Sequence, residues 1–191
     1  MHSGRLRREL RFSRSTVDLN LGELGLSANE VKPLIDAFLN VDGYLGLQGT
    51  ELILLEKVLG LRGLTPAVQL VGELVSVKSV TKGTGISYGH LAKTTEPTNL
   101  GLVALGFSDG IPRSATNQLR VEIQGKNYRS LGRIAMDQCV VDLGADQPSV
   151  GSEVHIFTSD YPLIDLAKES GFTPLEILGR ITARVTRTWC E

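Results

Sequence analysis

Apolar positions along this chain change their period near Pro66. Ahead of that proline, Val31, Leu34, Ile35 and Phe38 recur at the three- and four-residue steps of a helix face. Ser27-Ala28-Asn29-Glu30 reads as the capping box that would start this helix, with Pro33 rather deep for a first turn. Residues 41–47 read as a short strand, and a second helix is expected over 50–59, closed by Gly60. Beyond Pro66, residues 68–80 are β-branched and apolar and predict a long strand, broken by Gly83 and Gly85. Residues 100–107 predict another. Leu119, Val121 and Ile123 alternate with Arg120 and Glu122, which gives one buried and one solvated face. The stretch 124–127 reads as a hairpin turn, two strand-like runs flank Gly132-Arg133, and 153–157 is a shorter strand. Ser159 or Asp160 can cap a helix that has Pro162 in its first turn and stops at Gly171. A final strand is expected over 176–188.

These elements divide the chain into three parts. Residues 1–14 carry Arg5, Arg7, Arg8, Arg11 and Arg14 against one Glu9, and read as a solvated, flexible basic terminus. Residues 15–62 form an α/β segment. Residues 63–191 form a mainly β domain, barrel-like, with one helix, because many short strands separated by glycine turns imply a closed or sandwiched sheet.

Composition narrows the function. The chain has 191 residues, with 20 basic against 21 acidic side chains, a balance that calls for neither nucleic acid nor a membrane surface. No window approaches the ~20 apolar residues of a membrane span. Cys139 and Cys190 are too few and too far apart for a disulfide framework or a zinc site, and read as free thiols in a reducing cytoplasm.

The most informative stretch is Gly85-Ile86-Ser87-Tyr88-Gly89-His90, a tyrosine set among turn-permissive residues after a strand. A phenol ordinarily titrates near ~10, so it moves protons near neutrality only where its surroundings assist. The blocks that follow are Gly106-Phe107-Ser108-Asp109-Gly110-Ile111-Pro112-Arg113, then Gly132-Arg133-Ile134-Ala135-Met136-Asp137-Gln138, and last Arg184-Val185-Thr186-Arg187. Together with Ser87-Tyr88-Gly89, in this order and spacing, they resemble the C-terminal β domain of alanine racemase. Gly63-Leu64-Thr65-Pro66-Ala67-Val68 is similar to that family's approach to the domain.

The resemblance implies a definite chemistry. The family interconverts L- and D-alanine with pyridoxal 5'-phosphate as the electron sink. One proton-transfer group is a cofactor lysine in an N-terminal barrel. The other is the tyrosine matching Tyr88, delivered across a dimer to the partner's barrel. The residue matching Met136 holds the substrate carboxylate through its backbone N–H, with Asp137 beside it. The chain also departs from the family. None of Lys32, Lys57, Lys78, Lys82, Lys93, Lys126 and Lys168 has the context of the cofactor lysine, and no glycine-rich phosphate cradle precedes a helix. Phe107 and Ala183 stand where the family usually has a tyrosine at the mouth of the active site and a tyrosine on the cofactor phosphate. Pyridoxal phosphate is therefore not expected to bind this chain alone. Residues 17–25 and 41–49 are similar to two strands of the family's barrel. On that reading 15–62 is a barrel remnant, and about two or three of the eight strands cannot close one.

Two functions follow. In one, the chain is a racemase component whose Tyr88 acts on alanine held by a separate barrel polypeptide or in a homodimer. In the other, it is a non-catalytic binding, dimerisation or regulatory domain on the same scaffold. The other polar candidates read as structural: His90 and His155 as surface or edge residues, Asp109 and Arg113 as loop-ordering partners, and Trp189 as packing.

Overall fold

The computed structural model describes residues 6–39, 50–60 and 66–190. Strand β1 (Glu9–Ser13) leads directly into helix α1 (Arg14–Leu24), followed by α2 (Ala28–Leu39) and α3 (Thr50–Val58). The long β2 (Val68–Val80) opens the β region. A small hairpin of β3 (Gly85–Ile86) and β4 (Ala92–Lys93) precedes β5 (Thr98–Val103), β6 (Arg120–Ile123), β7 (Lys126–Ser130), β8 (Cys139–Gly144) and β9 (Glu153–Ile156). Helices α4 (Leu163–Ser170) and α5 (Pro174–Gly179) then lead to β10 (Thr186–Cys190).

Six strands close into a barrel in the order β2-β5-β8-β7-β6-β9, with β9 returning to β2. Closure rests on β2. Its first half pairs with β9, Leu70 opposite Ile156 and Glu73 opposite Glu153. Its second half pairs with β5, Val77 opposite Gly101, after a register shift between Leu74 and Ser76. A bulge of this kind bends a strand enough to serve two neighbours. Inward-facing Leu70, Leu74, Val103, Val121, Ile123, Val141, Val154 and Ile156 are all buried and fill the interior. The 124–127 turn closes β6 on β7 with φ 52 at Gln124 and 75 at Gly125, the paired positive values of a tight hairpin.

The basic terminus is a correction. Instead of a frayed end, Glu9–Ser13 is a sheet strand, antiparallel to β2 with Leu10 opposite Leu70, and parallel to β10 with Leu10 opposite Arg187. Leu10 and Phe12 are fully buried. Two of its arginines are held rather than solvated: Arg11 hydrogen-bonds Glu153 through Nη1 and Nη2 at 2.9 and 2.8 Å, and Arg7 pairs with the same carboxylate. A charged run that alternates with Leu10 and Phe12 is a strand with one apolar face, a pattern masked by its arginines.

Residues 17–25 are the second correction. They form a helix, not a barrel strand. Ser13 Oγ accepts the Thr16 N–H at 3.2 Å as N-cap, and Gly25 ends the helix in the left-handed region. Val17 and Leu21, four apart, are buried with Val31, Val58 and Ala67 in a small core of their own. At α2, the Glu30 carboxylate accepts the Ser27 N–H at 2.8 Å, the half of the capping box that forms, while the Ser27 hydroxyl donates to that carboxylate; Val31 and Leu34 are buried, as the spacing predicts. The strand expected over 41–47 lies outside the described residues. Every described element between β1 and β2 is helical.

The end of the chain differs as well. Thr173 Oγ1 accepts from Glu176 N–H while the Glu176 carboxylate accepts from Thr173 N–H, with Pro174 at the first helical position. This capping box starts α5 where a strand was expected, and β10 begins only at Thr186. Trp189 packs as expected, its ring centroid 5.7 Å from that of Phe12.

Candidate functional site

Tyr88 sits at the tip of the β3–β4 hairpin, in a single 3-10 turn over Tyr88–His90. The hairpin is only two residue pairs long, Gly85 opposite Lys93 and Ile86 opposite Ala92, so the tip needs a tight reversal. Ser87, Gly89 and His90 supply it with φ of 57, 75 and 47. Two of these three are not glycine, and such left-handed residues cost about 1–3 kcal/mol each where other contacts enforce them. A tyrosine that merely finished a strand would lay its ring on the sheet. Tyr88 is instead 77% exposed, and its hydroxyl makes no hydrogen bond among the described residues.

The tip is held by the loop that follows β7. Gly132 has φ +84, and a Cβ there would stand 2.8 Å from Ser87 Oγ and 3.1 Å from Ile86 Cγ2. Its N–H donates to Asn117 Oδ1 at 2.6 Å. Arg133 follows, with Nη1 3.8 Å from where a Cβ on Gly89 would lie. Between the tip and this loop lies an open cleft of about 360 Å³, walled by residues 87–90 on one side and by Ala135, Gln138 and Cys139 on the other. Burial and the nearby Asp109 push the Cys139 thiol up to about 12, which leaves it protonated and unreactive.

Met136 and Asp137 are placed on the same loop. The Ala135 and Met136 carbonyls accept from Phe107 and Ser108 N–H groups at 3.0 and 2.9 Å. That approach requires Gly106, since a Cβ there would overlap both carbonyl oxygens. The Met136 N–H makes no hydrogen bond among the described residues and its side chain is exposed. Tyr88, Leu91, Phe107 and Met136 are all large, exposed and apolar in body, on the hairpin and loops around the cleft.

Asp137 Oδ1 accepts from Arg184 Nη1 at 2.6 Å. The same guanidinium places Nε 3.0 Å from Asp109 Oδ1, and Arg8 Nε lies 3.2 Å from that oxygen. Asp109 Oδ2 accepts the Gly106 N–H at 2.9 Å. Burial raises the Asp109 pKa, while the Gly106 N–H and the two arginines oppose the rise. Asp109 thus orders its loop as expected, but not with Arg113, whose guanidinium instead lies 5.8 Å from the Phe107 ring centroid. Arg8 and Arg184 carry no local signal for this role, because they reach Asp109 from opposite ends of the chain. His90 is exposed at the tip, and His155 Nδ1 lies 3.1 Å from Gln69 Oε1 on the barrel's outer wall.

Nothing at the cleft could hold a cofactor aldehyde covalently. All seven lysines lie among the described residues and all are exposed. None lines the cleft, and Lys32 and Lys126 are paired with Asp36 and Asp146. Among the described residues no group of three or more His, Cys, Asp or Glu could hold a metal ion. No described helix is long and apolar enough to cross a membrane.

Comparison with known proteins gives a consistent picture. The family model described as alanine racemase, C-terminal domain, matches residues 67–189. Alanine racemase of Streptomyces coelicolor is 44% identical over 131 residues, covering 66% of this chain and 34% of that protein. Alanine racemase of Frankia casuarinae is 42% identical over 135 residues, with the same two coverages. Among solved structures, the Streptomyces coelicolor A3(2) alanine racemase superposes with a TM-score of 0.64 over 68% of this chain and 35% of that one. The Oenococcus oeni alanine racemase does so with 0.65 at 31% identity, over 70% and 41%. The chain spans about a third of the length of the curated relatives it matches.

Proposed function

The chain belongs to the alanine racemase C-terminal domain family, and we propose that it supplies Tyr88 as the proton-transfer group to a racemase barrel. The observation that carries this reading is the 77% exposure of a tyrosine on a conformationally enforced tip. The residues present do not fit pyridoxal phosphate: a Schiff-base lysine must be desolvated beside a phosphate cradle, and every lysine here is exposed. On this reading the cofactor and its lysine are supplied by a barrel that lies outside these 191 residues. This chain's share is to present two groups to alanine seated there. The Tyr88 hydroxyl gives or takes a proton at the substrate α-carbon, and the Met136 N–H donates to the substrate carboxylate. Asp137 holds the loop on which Met136 rides. The exposed apolar surface of Tyr88, Leu91, Phe107 and Met136 is covered when the barrel docks. Both cysteines are free, which suits a reducing cytoplasm.

The test is reconstitution. This chain, a separately expressed barrel from the Streptomyces coelicolor relative, pyridoxal phosphate and L-alanine are mixed, and D-alanine is followed. Racemisation is expected only in the complete mixture, with Tyr88→Phe slowing it at least ~10²-fold, the usual contribution of one positioned acid/base. An inactive mixture overturns the reading, and so does racemisation by this chain with the cofactor alone.

A second reading has its own support. Phe107 and Ala183 lack the two hydroxyls that the resemblance leads one to expect, and each lost hydrogen bond to a charged group costs about 1.5–3 kcal/mol. On this reading the domain binds a barrel or a second copy without contributing to chemistry. It predicts a complex whose formation and activity are unchanged by Tyr88→Phe.

A further inference from the structure

One buried carboxylate supports the Met136 loop from two directions. Asp109 is fully buried. Its Oδ2 accepts the Gly106 N–H at 2.9 Å. That bond pins the turn whose next two amides, Phe107 and Ser108, hold the Ala135 and Met136 carbonyls. On the other side, Asp109 Oδ1 lies 3.0 Å from Arg184 Nε, while Nη1 of the same guanidinium is 2.6 Å from Asp137. A planar guanidinium fixes two carboxylates relative to one another in a way that a point-like ammonium does not. Arg8 adds a second cation at 3.2 Å. Asp109 Oδ1 has no well-aligned hydrogen bond, so its contacts with Arg8 and Arg184 are both ion pairs, and the first ties the segment before β1 to the site.

We propose that Asp109 is a positioning residue that aims the Met136 N–H, acting through the Gly106 turn and through the Arg184–Asp137 bridge together. The proposal rests on the reading that this N–H receives a substrate carboxylate. It adds that the aim is set by a carboxylate that never touches substrate. A buried aspartate that only ordered its own turn would need Gly106 and nothing more. Here the charge is shared with a guanidinium that ends on the functional loop.

Amide hydrogen exchange on the full chain tests this directly. The Phe107 and Ser108 N–H groups report whether the Met136 loop is docked. The Ser130 N–H, bonded to Leu119 O at 2.7 Å in the barrel wall, reports general stability. Arg184→Gln changes an exposed side chain and is expected to fold. Both it and Asp109→Asn are expected to speed exchange at Phe107 and Ser108 about tenfold or more, the scale of a lost charged hydrogen bond, with Ser130 unmoved. Because the Arg184 bridge is one of the two routes through which Asp109 acts, the double variant is expected to match Asp109→Asn. Unchanged Ser108 exchange in Arg184→Gln overturns the proposal, as does a double variant whose acceleration is the product of the singles. If Asp109→Asn does not fold, Arg184→Gln decides it alone, through the same Ser108 readout. The racemase reading fails separately, through an inactive wild-type mixture, and leaves the exchange result standing.

Discussion

A tyrosine exposed at a strained tip is informative because it lacks the packing that usually explains a tyrosine. The turn that carries it packs on Gly132, whose φ of +84 and 2.8 Å approach to Ser87 Oγ exclude a side chain. Gly132→Ala is therefore expected to destabilise the fold by about 1–3 kcal/mol and to displace the Tyr88 turn. Urea denaturation measures the first effect, and the tyrosine-ring NMR signals of residue 88 report the second. A neutral Gly132→Ala would show that the tip adapts freely and that its geometry is not enforced. Tyr88, Met136 and Asp137 were singled out in the sequence by resemblance, because each lies in a short block similar to the alanine racemase C-terminal domain. The support beneath them was not. Asp109 looked like one more loop aspartate, and its partners Arg8 and Arg184 are brought together only by the parallel pairing of β1 with β10.

Elements were legible where a cap and a period agreed. The long β2, the β6–β7 hairpin and α4 followed from β-branched runs, a Gln124-Gly125 turn and a Pro162-to-Gly171 frame. They were misread where the resemblance to a barrel strand overrode a local helix signal. Val17-Asp18-Leu19-Asn20-Leu21 alternates like a strand, yet the Ser13 cap and the left-handed Gly25 bracket a helix whose buried face is Val17, Asn20 and Leu21. Leu19, which strand alternation would bury with its neighbours, is 67% exposed. Gly22 lies inside this helix with nothing within 4 Å of a prospective Cβ. Gly22→Ala is expected to raise stability by about 0.5–1 kcal/mol, since alanine loses less backbone entropy in a helix and meets no obstacle. A calorimetric melting temperature that falls instead would mean that residues 14–24 are not a helix in solution.

At the scale of the whole molecule, the family match starts at residue 67 but the folded unit starts earlier. β1 lies between β2 and β10, so without it β10 has no neighbour in the sheet and β2 keeps only β9 beside Leu70 and Val71. Leu10 and Phe12 are fully buried, each worth roughly 1.5–3 kcal/mol. Removing Arg7, Arg8 and Arg11 also strips Glu153 of its arginines and leaves Asp109 with Arg184. Against a usual net stability of about 5–15 kcal/mol, losses of this size leave little. A chain lacking residues 1–13 is expected to be unfolded or to lose at least about 3 kcal/mol in urea denaturation. Full stability in that truncation would show β1 to be an accessory strand. Acid gives a gentler version of the same experiment. The hydrogen bonds from Arg11, aided by the charge of Arg7, hold the Glu153 carboxyl below its ordinary 4.5. A depressed folded value means that this contribution is complete above pH 4.5 and is lost as pH falls through the lower, folded value. These side chains are partly exposed, so solvent screening limits the pair to about 1 kcal/mol or less. Below pH 4.5, exchange at the β1 amides is expected to quicken before exchange in the barrel wall, and Arg11→Met should remove most of that difference. Acid-induced opening that begins in the barrel wall, with β1 still protected, would show that this ion pair does not hold the N-terminal strand in place.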